Sequence, residues 1–167
     1  DPDSSTGATN KPIKVYILSG QSNMTGIGRV YGIDDDRSLE NITVRQNRFP
    51  NLINSNGTWT VRNDVTYHRM VSGGPPSGLT AGQGSDSNHL GPELGFGHMI
   101  GWYHDEPVLL LKSSLGNTSL GYDILPPICQ AYEYGTYLYA GYGQTPGRWL
   151  IGSTPTPGTD WAGQEFD

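Results

Sequence analysis

The chain reads as an α/β protein with a parallel sheet. Three observations predict this class. An apolar run at Ile13 to Leu18 breaks into a small, polar, glycine-led turn; a helix start is written at Gly91-Pro92-Glu93-Leu94; and the continuous apolar run Val108 to Leu111 ends in a second polar glycine turn. Strand, turn, helix, strand and turn in that order is the pattern of parallel strands joined by helical crossovers.

Residues 1 to 12 carry no periodicity and are expected to be a flexible lead into one domain over 13–167, a length that suits a single core. The first strand spans Ile13 to Leu18 and is expected to be buried. Ser19-Gly20-Gln21-Ser22 then leaves the sheet, and Asn23 onward starts a short helix. Gly26 to Gly91 is polar and rich in Gly, Asn, Asp and Ser, with short apolar segments such as Ile42-Thr43-Val44 and Trp59-Thr60-Val61. A loop of that length without structure is improbable, so the region is expected to hold two or three short strands. Pro92 suits a first helical position and Glu93 complements the helix dipole, with Leu94, His98, Met99 and Trp102 near helical spacing. Asp105-Glu106-Pro107 ends that helix, and Val108 to Leu111 has the character of a central parallel strand buried on both faces. Lys112 to Ser119 reads as the turn that follows. Beyond Gly121 periodicity fades and no further strong strand is expected. The tyrosines at 132, 134, 137, 139 and 142 suit either a half-buried strand or a surface on which sugar rings stack.

Composition narrows the function. The net charge is -6 with 10 Lys and Arg placed singly, so no basic stripe exists for nucleic acid. With 24 Gly and 12 Pro, loops should make up much of the chain, and loops often carry binding sites. The single Cys129 excludes a disulfide within the chain and is expected to be a partly buried small apolar residue. No stretch approaches the length of a membrane span. The polar start Asp1-Pro2-Asp3-Ser4, without Met, favours a processed, secreted or periplasmic protein.

The chemistry is expected at Gly20-Gln21-Ser22-Asn23-Met24. A serine on a strand-to-helix turn has its hydroxyl at the carboxyl edge of the sheet, beside backbone N–H groups that the helix has not used. Nucleophile and oxyanion donor then come from one segment. On the residues alone, the reading of Ser22 as an ordinary helix cap leads over the nucleophile reading. Glu93 reads as a helix-start and turn-bracing residue. Asp86-Ser87-Asn88-His89 has an Asp-x-x-His spacing, but it abuts the helix start, and His89 reads as a loop residue near the site rather than as the general base. His68, His98 and His104 lack metal-ligand spacing. Gly26-Ile27-Gly28 lacks the third glycine of a dinucleotide loop, and Asp34-Asp35-Asp36 reads as a solvated acidic run.

Val15 to Met24 resembles the nucleophile block of the SGNH-type hydrolases, specifically the carbohydrate O-acetylesterases that include the sialate O-acetylesterases and related acetylxylan esterases. Gly91 to Gly97 and Lys112 to Leu120 resemble two further blocks in the same order. The resemblance spans roughly residues 13 to 125. It implies a flavodoxin-like three-layer α/β/α fold, of which this chain holds the N-terminal part. It implies Ser22 as nucleophile, with its own N–H and that of Gly116 as oxyanion donors. Asn117 stands where related sequences usually have a second glycine, which makes it a lesser candidate for the site. Gln21 and Asn23 either hold the turn or contact sugar hydroxyls. The resemblance implies no metal or cofactor, and an acetylated carbohydrate as substrate. It also implies an Asp-x-x-His pair that does not occur after Leu120, to be supplied by a missing C-terminal segment or a second chain. The rival reading is a noncatalytic carbohydrate-binding or truncated module of the same fold.

Overall fold

Lys14–Gly20 forms β1 and Val108–Ser114 forms β6, two parallel strands in contact along their whole length, from Lys14 against Val108 to Gly20 against Ser114. Between them in sequence lie α1 (Ser22–Thr25), β2 (Gly28–Arg29), β3 (Arg62–Arg69), β4 (Ser77–Leu79), β5 (His89–Leu90) and α2 (Pro92–Tyr103). A four-stranded sheet runs in the order β1-β6-β3-β4, with β3 parallel to β6 and β4 antiparallel to β3. The α/β class with a parallel-containing sheet is therefore present. This computed structural model describes residues 11–71, 74–119, 121–158 and 162–163, so most of the lead over 1–12 lies outside the described residues. By its contacts the chain divides into two compact units, Asp1–Gly116 and Asn117–Asp167.

In the first unit, α2 covers one sheet face. Its buried residues Leu94, Gly97, His98 and Gly101 recur at i, i+3, i+4 and i+7, a single helical stripe. Met99 and Trp102, which share the helical spacing, instead lie largely exposed. Two glycines set how close the helix comes. A Cβ on Gly97 would fall 2.3 Å from Leu79 Cδ2, and one on Gly101 would fall 2.6 Å from Val65 Cγ2. The helix thus accepts a propensity cost of about 1 kcal/mol per glycine to seat directly on Leu79, Leu110 and Val65.

Several expectations are corrected. β1 is an edge strand buried on one side only: Leu18 faces the core, whereas Val15 is 53% and Ile17 70% exposed. β6 is central, yet full burial is confined to the α2 side, at Val108, Leu110, Lys112 and Ser114, with Leu109 and Leu111 half-buried opposite. It also runs on through Lys112 to Ser114, residues expected in the turn. The excursion from Gly26 to Gly91 holds four strands, one of them the eight-residue β3. Its sequence Arg62-Asn63-Asp64-Val65-Thr66-Tyr67-His68-Arg69 hid it, because a buried strand seldom carries Arg and Asp. They are accommodated as a pair: Arg62 Nε donates to Asp64 Oδ1 at 2.9 Å, and Arg62 Nη1 donates to the carbonyl of His98 at 3.0 Å. Ile42-Thr43-Val44 lies in a π-helical turn, Asn41–Arg45.

The second unit also departs from expectation. β7 (Tyr132–Tyr134), β8 (Tyr137–Tyr139) and β9 (Arg148–Leu150) form an antiparallel sheet in that order. Each is three residues long, too short for periodicity to register. Gly135, at φ 60°, makes the β7–β8 turn.

Candidate active site

The chain leaves β1 at Gly20, and α1 is a single turn closed by Thr25 N–H to Gln21 O (2.8 Å) and Gly26 N–H to Ser22 O (2.9 Å). Gly26 stops the turn at φ 86°, where it packs so tightly on the following chain that a Cβ would lie 2.3 Å from Gly91 Cα. Ser22 is the first helical residue and is exposed, as are Gln21 and Asn23. Its hydroxyl lies 3.5 Å from Gln21 Oε1, at the limit of a hydrogen bond. The cap position belongs to Gln21, whose side chain makes no capping bond.

Beneath this turn lies a buried ionic clamp. Lys112 has no solvent exposure and donates to Glu93 Oε2 (2.6 Å) and to the carbonyl of Thr25 (2.8 Å). The other Glu93 oxygen accepts from Gly91 N–H at 2.7 Å. Burial pulls the Lys112 ammonium below its ordinary value, opposed by Glu93; burial, then the Glu93 charge, pushes the Tyr67 hydroxyl well above its own. One cation therefore joins β6, the start of α2 and the last residue of the Ser22 turn. Glu93 braces the turn, but through Lys112, which by sequence alone belongs to the turn after the strand. The available signal was a lysine continuing an apolar run, where only a paired charge is stable.

Gly116 follows β6 by two residues, and because Gly20 and Ser114 are in register, the β6 exit leaves the same sheet edge as the Ser22 turn. A Cβ on Gly116 would meet nothing within 4 Å. Asn117 opens the second unit with φ 66°. That is the left-handed region in which glycine is unstrained and asparagine among the best tolerated of the rest.

The remaining candidates resolve individually. Asp86 and His89 do form a pair, Nδ1 to Oδ1 at 2.8 Å, on a segment held to Gly26 by Ser85 N–H to Gly26 O (2.8 Å). The backbone N–H of Asn88, and then His89, keep the Asp86 carboxyl below its ordinary value. His104 bonds the Tyr16 hydroxyl at 2.6 Å. His98 is buried with neither ring nitrogen partnered, and burial followed by the Arg62 charge lowers it to about 4. Asp34 pairs with Arg45 and Asp35 with Arg29 and Arg37. Gly28 lies in the β2–β5 ladder, opposite Leu90, rather than at a helix start. Among the described residues, no three His, Cys, Asp or Glu side chains gather as a metal site, and no helix is long and apolar enough to cross a membrane. A cavity of about 340 Å³ against α2, lined by Leu39, Phe49, Leu52, Leu94, Met99 and Trp102 among others, includes none of the predicted site residues.

Residues 12–138 match the family model described as carbohydrate esterase, sialic acid-specific acetylesterase. The match covers well over half of the chain, and the protein belongs to that family of carbohydrate esterases, the group that the three sequence blocks resemble. No curated protein and no solved structure matched the chain.

Proposed function

We propose that this protein is a serine esterase that removes O-acetyl groups from carbohydrate through an acetyl-enzyme on Ser22. What supports the reading is one juxtaposition within a carbohydrate esterase family: an exposed serine opening a helical turn at the end of β1, beside the exit of the adjacent parallel strand that leads to Gly116. Ser22 Oγ attacks the acetyl carbonyl, and the N–H groups of Ser22 and Gly116 receive the developing negative charge. The sugar oxygen leaves with a proton, and water then releases acetate from Ser22. Gln21 and Asn23 are proposed to touch the sugar, with Asn117 in a lesser role.

In this proposal the base is a histidine paired with an aspartate, carried by a C-terminal segment or by a second chain. Val15 and Ile17 lie exposed on the face of β1 opposite to Leu18.

Intact-mass analysis after incubation with p-nitrophenyl acetate tests the nucleophile. One acetyl adduct, mapped to Ser22 and lost in Ser22→Ala, is expected. Equal adduct formation in Ser22→Ala would overturn the assignment and leave the noncatalytic binding module as the better reading.

A further inference from the structure

The register of the second unit gathers its tyrosines on one face. Tyr132 pairs with Tyr139 and Tyr134 with Tyr137 across β7 and β8; Tyr139 pairs with Arg148 and Tyr137 with Leu150 across β8 and β9. Residues directly opposite, and residues two apart on one strand, share a face. Tyr132, Tyr134, Tyr137, Tyr139, Arg148 and Leu150 therefore line one side, while Glu133, Leu138 and Trp149 line the other. Tyr132 and Tyr139 stack at 5.1 Å, and the Arg148 guanidinium lies 5.0 Å from the Tyr137 ring centre and 5.8 Å from that of Tyr122. Tyr134 is 73% exposed.

We propose that this tyrosine face is a binding surface for an acidic saccharide, an inference that rests on the carbohydrate reading of the protein. Size argues for a sugar over a protein. Three strands of three residues make a face of about 10 by 14 Å, far below the roughly 800 Å² each partner buries in a stable protein interface. Chemistry argues the same way. A tyrosine ring offers an apolar face with a hydroxyl rim, the complement of a sugar ring's C–H face and hydroxyl edge, and Leu150 is the sole aliphatic side chain among the six. Charge selects the class of sugar. In a chain of net charge -6, Arg148 is the one ionic group of this face and is exposed. Its planar fork suits a carboxylate. The ring of the saccharide lies on Tyr134 and Tyr137, with its carboxylate on Arg148.

Calorimetric titration of the full 167-residue chain with an oligogalacturonate, against a neutral xylo-oligosaccharide, tests the proposal. The acidic ligand is expected to bind more tightly. Tyr134→Ala, whose ring touches no other ring among the described residues and whose loss leaves the fold intact, should weaken it about tenfold, or 1.4 kcal/mol. Arg148→Gln should remove the preference for acid and its salt dependence. Ser22→Ala should bind unchanged, so tyrosine-dependent binding alongside a failed Ser22 acetylation test would sink the esterase mechanism and leave this surface standing. Absence of binding to either ligand would overturn the proposal. So would binding indifferent to Tyr134, or a tyrosine-dependent dimer in sedimentation that binds no saccharide.

Discussion

Replacing Lys112 by Met tests whether the Ser22 turn is held from below by a buried cation. The substitution keeps the length and apolar stem but removes the ammonium, which has no water contact and two acceptors, Glu93 Oε2 and Thr25 O. Glu93, itself without exposure, would remain as a buried carboxylate with Gly91 N–H as its surviving donor. Breaking one side of such a pair costs about 3–5 kcal/mol, the larger part being the stranded charge rather than the lost attraction. Against a total stability of about 5–15 kcal/mol this is a major loss. In a chain of this size it corresponds to a fall in Tm of roughly 6–20 °C. Urea titration followed by tryptophan fluorescence would measure it, with the midpoint falling and the slope unchanged. The double substitution Lys112→Met with Glu93→Gln removes the stranded charge and should recover a substantial part of the loss, a coupling that independent sites do not show. A Lys112→Met protein within 1 kcal/mol of the parent, or costs of the two substitutions that simply add, would refute the clamp.

Two further predictions follow from backbone and burial. Asn117→Ala should destabilise by about 1 kcal/mol while Asn117→Gly is neutral or slightly stabilising, since only the former strains a residue at φ 66°; thermal unfolding distinguishes them, and equal effects would show that the turn relaxes. His98 titrates at about 4 when folded against 6.5 when exposed. The unfolded state therefore binds the proton first as pH falls, and stability is lost between about pH 6.5 and 4, by about 3 kcal/mol. His98→Gln should flatten that slope in urea midpoints measured across the window; an unchanged slope would assign the acid sensitivity elsewhere.

Two of the three parallel strands were legible because β1 and β6 are short apolar runs that end in serine and glycine, and the start of α2 because Pro92 and Glu93 mark it. What one-dimensional pattern could not supply was partnership. Arg62 and Asp64 look like loop residues until they are seen to neutralise each other inside β3, and Lys112 looks like the start of a turn until Glu93 arrives from α2. The tyrosines at 132, 134, 137 and 139 could be listed from the sequence, yet only the strand register puts them and Arg148 on one face.

By itself the sequence determined the α/β class, since local apolar runs and turn chemistry write it directly into the chain, and the family, through the resemblance of its three blocks. Tertiary structure decided which charges are buried, which face of β1 stays open, and what braces the Ser22 turn. The reason is physical: a charge is stable in a core only beside its opposite, and that neighbour is brought by folding, from 19 residues away in the case of Lys112 and Glu93.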